Sequence, residues 1–507
     1  MQRFSGPRCR VCVMSGIEKS EWGHKRLPPV STLLFGFGST AVGIKDMGFR
    51  TILLLYYNQV IGLPAGQVAA TIMIALICDA VLDPIIGEIS DNFRSRWGRR
   101  HPFMYAAALP VSIAYVFLWL PPEGWGVGNT LIYMFVLSVF IRSFITFYEI
   151  PSAALTPELT KDYDERTRLI SIRFIFYFVG GSLLTIITFR YFLQPSAEYP
   201  VGQLNPAGYR IYAYLSGALM FASMIVSALG THKYIKYLEQ PKTDRRRSIL
   251  HVLREMRETV SDRSFIMVAA ASFCKAAALG ISGALSAYMS TFFWKLSAGQ
   301  ISLLMIDSFF AVGFAYAMAT RLSKRFGKRN VAIACYVLSI IFASWPAILK
   351  VTGIALQPGD ASVVPVLFLN GIVFGGLGIS STILAGSMIA DCVEEAQKKT
   401  GRRSEGLMFA INGLIGKIVS GFGVFGAGMV LAFVGFPEKA NPNDVSIEVV
   451  NNMWYTYMVV VAVLYAAGTW LLTQYNITKA DHERNIMELE AEAGNEAQVA
   501  TLGRNVQ

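Results

Sequence analysis

Ile77-Cys78-Asp79-Ala80-Val81-Leu82-Asp83-Pro84-Ile85-Ile86-Gly87 lies inside a run from Ala65 to Ser90 that is otherwise apolar enough to span a bilayer. Asp79 and Asp83 stand at i and i+4, so a helix carries them on one face, one turn apart. An ionisable group at membrane depth costs about 2.5–3.5 kcal/mol on insertion scales. Two acids side by side cost more unless a proton or a cation neutralises them. One reading is a pair of structural acids bonded to a neighbouring helix. The sharper reading is a cation or proton site that drives transport, since acids inside a membrane are functional by default.

Working outward, the chain has 507 residues, 53% of them hydrophobic and only 16% charged. Its mean hydropathy is +0.45. The apolar residues come in runs of roughly 20 or more, each long enough to cross a bilayer core. The pattern predicts an all-α membrane protein with twelve transmembrane helices, at about 30–60, 65–91, 102–120, 128–151, 168–192, 209–232, 265–293, 298–321, 330–350, 362–390, 406–435 and 452–474. They fall into two six-helix bundles, 30–232 and 265–474. A cytosolic segment (1–29), a basic central loop (233–264) and a polar tail (475–507) flank and separate them.

The division is also a repeat. Arg96-Trp97-Gly98-Arg99-Arg100 and Arg325-Phe326-Gly327-Lys328-Arg329 each read basic, aromatic, Gly, basic, basic, at the same place in the two halves. Gly permits the tight turn a very short loop needs. The basic residues hold that turn on the cytoplasmic side. The net charge of +11 gathers on the same side, at Arg94, Lys161, Arg166, the central loop and Lys398-Lys399. The opposite loops offer little beyond Lys295, Lys350 and Lys439. Both termini are therefore expected in the cytoplasm of a bacterial inner (plasma) membrane. The charge meets anionic lipid rather than nucleic acid. Within the central loop, Ile249 to Val260 reads as an amphipathic helix on the lipid surface.

Other signals are thin. Cys9, Cys12, Cys78, Cys274, Cys335 and Cys392 form no disulfide framework, and Cys9-x-x-Cys12 is a lone pair. Met14-Ser15-Gly16 looks like an ordinary protein start, which makes Met14 a candidate initiation site. There is no nucleophile elbow, no phosphate loop and no cluster among the five histidines, so neither an enzyme nor a cofactor is expected.

Further charges lie at membrane depth. They are Lys45, Asp46 and Arg50 in the first helix, Arg142 and Glu149 in the fourth, Arg173 in the fifth, and Lys417 in the eleventh. Lys275 and Asp307 belong to the seventh and eighth. Lys45 and Asp46 are adjacent, about 100° apart on a helix, and need not pair with each other. Glu149 comes just before Pro151, where a helix can bend. Together these residues predict a hydrated central cavity between the halves, lined by Lys45, Asp46, Asp79, Asp83, Glu149, Arg173 and Lys417. Mixed charge of this kind suits a hydroxyl-rich solute.

Several motifs in combination resemble those of the glycoside–pentoside–hexuronide:cation symporters of the major facilitator superfamily, in their melibiose-permease-like form. They are Asp79-Ala80-Val81-Leu82-Asp83-Pro84, Arg94-Ser95-Arg96-Trp97-Gly98-Arg99, Glu149-Ile150-Pro151, Pro157-Glu158-Leu159-Thr160 and Asp164-Glu165-Arg166-Thr167-Arg168-Leu169. The likeness covers roughly residues 30 to 475. It implies the superfamily fold and symport of a sugar or glycoside with H⁺ or Na⁺ by alternating access, in a monomer. It implies that Asp79, Asp83 and Thr146 hold the coupling ion, with Na⁺ at Asp79 and Asp83 if the ion is sodium. Lys45, Asp46, Glu149 and Arg173 match positions around the sugar, and Lys417 matches a lysine linking the two sites. Asp91, Arg96, Arg99, Arg100 and Arg325 are expected to form ion pairs that latch the cytoplasmic side.

Three departures bear on this. Leu82 replaces an Asn before the second acid, which removes a neutral oxygen ligand and favours H⁺ over Na⁺. Ala153 replaces a Trp beside the sugar, and Gly413 replaces a Thr one turn before the lysine. The pocket should be roomier, and an α-galactoside is not the expected solute. A cation-coupled symporter of lysolipids or other amphiphiles with the same fold is the alternative. A non-transporting sensor or scaffold is a third reading, one that would need no charged cavity.

Overall fold

Apolar runs of this length have one stable solution in lipid, the helix, because every backbone donor must find its acceptor within the segment. The computed structural model describes residues 26–238, 263–400, 405–475 and Arg484. The segment holding Cys9, Cys12 and Met14, the stretch Ile249 to Val260 and the tail after Tyr475, apart from Arg484, lie outside the described residues. Every regular element among those described is helical.

Twelve long helices carry the chain. In the first half they are α1 (29–61), α2 (Ala65–Asn92), α3 (His101–Leu118), α4 (Val127–Leu159), α5 (Tyr163–Ile187, prolonged by a widened turn Thr188–Phe192) and α6 (Pro206–His232). The second half has α7 (Arg263–Tyr288, prolonged by Met289–Phe293), α8 (Ala298–Leu304 and Asp307–Phe326), α9 (Lys328–Val351), α10 (Val363–Thr400), α11 (Glu405–Phe433) and α12 (Ile447–Thr473). Ten of them among the described residues are long and apolar enough to cross a membrane as single helices. The other two are α1, interrupted by π-type turns at Gly48–Ile52 and Tyr56–Ile61, and α11. Large apolar side chains such as Val81, Ile132, Phe174, Tyr316 and Trp470 stand exposed, as a lipid-facing surface requires.

Several details differ from the sequence pattern, among them α10, which runs on to Thr400 rather than ending near 390, and α12, which starts at Ile447 rather than 452. α4 continues through Pro151 and Pro157 to Leu159, because each proline removes one bond of the ladder and leaves its neighbours intact. α5 begins several residues early, where the Asp162 carboxylate accepts the Glu165 amide at 2.8 Å and caps the first turn. α8 breaks at Met305–Ile306 and restarts at Asp307.

The repeat is visible in the turns that follow α2 and α8. Gly98 (φ 75°) and Gly327 (φ 80°) both take the left-handed region that only glycine enters without strain. Within the halves, α1 packs on α5, α3 on α4 and α6, α7 on α11 and α12, and α8 on α10. The halves meet chiefly where α2 lies on α11 and where the Gly48–Ile52 turn of α1 meets α7. Gly280 and Gly423 bring the α7 and α11 backbones together so closely that a Cβ on either would stand under 3.0 Å from the other helix.

Candidate ion and substrate site

The i, i+4 spacing of Asp79 and Asp83 sets both carboxylates toward α4, where Arg142 and Thr146 repeat the same spacing. Asp79, Arg142 and Thr146 are almost wholly buried, so none of them faces lipid. Arg142 Nη1 lies 3.4 Å from Asp79 Oδ2. Thr146 Oγ1 lies 3.1 Å from Asp79 Oδ1, 3.0 Å from Asp83 Oδ1 and 3.0 Å from its own helix's Arg142 carbonyl. A hydroxyl has one proton, so it satisfies one of these three oxygens fully at a time. Asp79 Oδ1, Asp83 Oδ1 and the Thr146 hydroxyl thus form a compact oxygen cluster beside the Arg142 guanidinium.

Beside the cluster is a cavity of about 310 Å³. Lys45, Asp46, Arg50, Asp79, Arg142, Glu149 and Tyr177 line it from the first half, and Gly416 and Val424 from the second. Adjacent helical positions need not pair, yet Lys45 and Asp46 do, Nζ to Oδ1 at 2.8 Å. The four-carbon lysine stem folds back far enough to overcome the angle between the two Cα–Cβ bonds. Tyr177 donates its hydroxyl to Asp46 Oδ2 at 3.0 Å. Neither Tyr177 nor the Arg142–Asp79 contact was anticipated from sequence. The signal for the second was present, since Arg142, Thr146 and Glu149 share a helix face with α2's acids as partners.

Of the residues expected to line the cavity, Asp83 and Arg173 do not; Asp83 stands behind Asp79, against Thr146, and Arg173 lies elsewhere. It spans α1, α4 and α5 instead, donating to Ser39 Oγ (3.4 Å), the Ser152 carbonyl (3.4 Å) and Thr156 Oγ1 (3.3 Å) and lying over the Phe35 ring. In this conformation it acts as a brace. Lys417 belongs to α11, and its side chain lies outside those described.

The expected latch is arranged differently. Arg99 and Arg100 both reach Glu158 Oε1, at 2.7 and 3.0 Å, and Arg100 also pairs with Asp91. In the second half Lys328, at the repeat position of Arg99, pairs with Asp391 at 2.7 Å. Arg325 joins no ion pair among the described residues. It lies over Phe326, as Arg96 lies over Trp97. These contacts tie each short loop to the fourth helix of its own half, α4 or α10, and do not join the halves.

The halves are joined at the other end. Tyr288 donates to Asn58 Oδ1 at 2.9 Å, and Gln59 bonds the Pro437 carbonyl and the Ala440 amide, both at 2.9 Å. Gln203 bonds Thr291 Oγ1 at 3.2 Å and the Leu296 carbonyl at 2.9 Å. Among the described residues, the hydrogen bonds between the halves thus gather at the end opposite the arginine-rich turns.

Residues 34–479 match the family described as MFS/sugar transport protein. Among curated relatives, the uncharacterized symporter sll1374 of Synechocystis sp. is 25% identical, covering 93% of this chain and 98% of its own. The inner membrane symporter YicJ of Escherichia coli is 24% identical over 93% and 97%. The isoprimeverose transporter of Lactiplantibacillus pentosus is 22% identical over 90% and 91%. The crystal structure of a D-xylose-proton symporter superposes with a TM-score of 0.56 at 13% identity, covering 86% of this chain and 95% of that one. At that identity the likeness is one of fold.

Proposed function

The chain belongs to the MFS/sugar transport protein family, and from that premise we propose that it couples uptake of a sugar or glycoside to H⁺ or Na⁺ by alternating access. It is thus a multi-pass membrane transporter rather than an enzyme. The observation that carries the coupling is the cluster of Asp79, Asp83 and Thr146 oxygens, which reaches a mixed-charge cavity between the halves through Asp79. With the cluster empty, two carboxylates repel each other and hold water near them. A proton or cation removes negative charge from that face and lets the halves close over solute held by Lys45, Asp46, Glu149 and Lys417. Arg173 keeps α4 against α1 and α5 as this happens.

The ion proposed first is H⁺. Leu82 supplies no neutral oxygen to complete a Na⁺ shell, whereas two carboxylates can hold a proton without one. By the positive-inside rule the arginine-rich end faces the cytoplasm. On that orientation the end where the halves are joined is extracellular, and the chain is a monomeric inner-membrane carrier in an inward-facing state. The test is uptake into proteoliposomes over a panel of sugars, with the pH and Na⁺ gradients imposed separately. Acidification-driven accumulation is expected. Accumulation driven by Na⁺ alone at fixed pH would reverse the ion, and none under either gradient would reject symport.

An amphiphilic solute is the second reading, and one observation favours it. A larger cavity of about 590 Å³, walled by Met47, Phe178, Leu279, Leu304, Met305 and Phe374 among others, could hold an apolar tail. Competition of lysolipid against sugar uptake separates the two.

A further inference from the structure

Arg50 differs from the other deep cations among the described residues. Lys45 has Asp46, Arg142 has Asp79, Arg173 has three acceptors, and the Lys275 ammonium donates to Thr382 Oγ1 at 2.7 Å. Among the described residues Arg50 has no hydrogen-bond or ion-pair partner. The acid one turn before it, Asp46, already holds Lys45 and Tyr177.

Nor does Arg50 face lipid. It is exposed into the interior and lines both the 310 Å³ and the 590 Å³ cavities, so it stands where they meet. The π-type turn Gly48–Ile52 carries it, a backbone irregularity that often marks functional positions. The facing helix leaves room for it. A Cβ on Gly283 of α7 would lie 2.9 Å from Arg50 Nε, so any larger residue there displaces the guanidinium. Asp307 and Ser308 of α8 and Ser282 and Ser286 of α7 also line the larger cavity, and Asp307 forms no ion pair with Arg50. A planar, permanently charged fork that pairs with no acid among the described residues, at the junction of two cavities inside a membrane protein, is built to receive an anion.

We propose that Arg50, set in the notch left by Gly283, is an anion subsite that pairs with a carboxylate, sulfonate or phosphate group on the transported solute. The solute then straddles both cavities, with its polar body toward Lys45, Asp46 and Glu149. This rests on the reading of the cavities as the transport path, but it is tested by binding alone.

The purified full chain in nanodiscs is titrated calorimetrically with two matched pairs. Methyl β-D-glucuronide against methyl β-D-glucoside tests a sugar acid. Lysophosphatidate against the monoacylglycerol of the same chain length tests a lipid phosphate. In at least one pair the anionic member should bind about ten- to a hundredfold more tightly, the range expected of charge-assisted hydrogen bonds. Arg50→Gln should abolish that preference, Arg50→Lys should keep part of it, and Gly283→Val should weaken it. Monodisperse elution and an unchanged unfolding temperature check that each variant is folded. Absence of an anionic preference in both pairs, or a preference that survives in Arg50→Gln, overturns the proposal. Failure of symport is a separate result: a solute that binds with this preference yet is accumulated under neither gradient.

Discussion

Thr146 offers one hydroxyl proton to three oxygens, and in the proposed symport this cluster is where added positive charge acts. The two acids differ in their surroundings. Asp79 is buried against Arg142, whereas Asp83 is only half-buried. Arg142→Gln should therefore be costly, because it leaves an uncompensated buried carboxylate, a loss of about 3–5 kcal/mol. Unfolding in detergent should show a large drop, and the double variant Asp79→Asn/Arg142→Gln should recover most of it. An undiminished unfolding temperature in Arg142→Gln would show that the contact contributes nothing. Asp83→Asn should leave stability within about 1 kcal/mol, with its effect confined to coupling. At this scale the i, i+4 spacing paired Asp79 with Asp83, and only the family resemblance added Thr146, whose hydroxyl stands between them. Sequence reading missed the Lys45–Asp46 pair, since helical angles describe Cβ directions and not where a long flexible stem ends.

Among the elements, the long helices were legible to within a few residues at most ends, since a run of about 20 apolar residues has no alternative in lipid. The irregular places were not. The widened turns of α1, the break in α8 and the run of α4 through two prolines depend on what packs beside them, which local sequence does not encode. The crossing of α7 and α11 depends on a close backbone approach at Gly280 and Gly423. Gly423→Leu should force those helices apart, destabilising the second half by about 1–3 kcal/mol and slowing uptake. Thermal unfolding and uptake measured together check this, and wild-type values for both would contradict it. The short turns after α2 and α8 pair with α4 and α10. Glu158→Gln, which removes the partner of both Arg99 and Arg100, should therefore loosen the first half's arginine-rich end. Faster amide hydrogen exchange across 94–100 is the expected readout, and unchanged exchange the contrary one.

For the whole molecule, the bonds of Tyr288, Gln59 and Gln203 hold the halves together at one end, while the ion pairs of Arg99, Arg100 and Lys328 among the described residues at the other end stay within each half. Hydrogen bonds of this kind contribute about 0.5–1.5 kcal/mol each. Tyr288→Phe combined with Gln59→Leu should then shift the population toward a state open at that end. Spin labels at Glu198 and Asn441, which line one pocket from opposite halves, should report a longer distance in the double variant. An unchanged distance distribution would mean the closure rests elsewhere. The arrangement of the two halves was anticipated through the repeated basic turns, but which end carries the bonds between the halves was not, because closure is a choice between two packings of one sequence. The most direct measurement of the central claim is the charge moved by solute. An uncharged sugar that binds the wild-type chain, chosen because an anionic solute carried with one proton would move no net charge, is applied to proteoliposomes on a solid-supported membrane, beside the Asp83→Asn variant. The account predicts an inward current in the wild type and none in Asp83→Asn, although that variant still binds and exchanges the sugar. A current of equal size in the variant would contradict it.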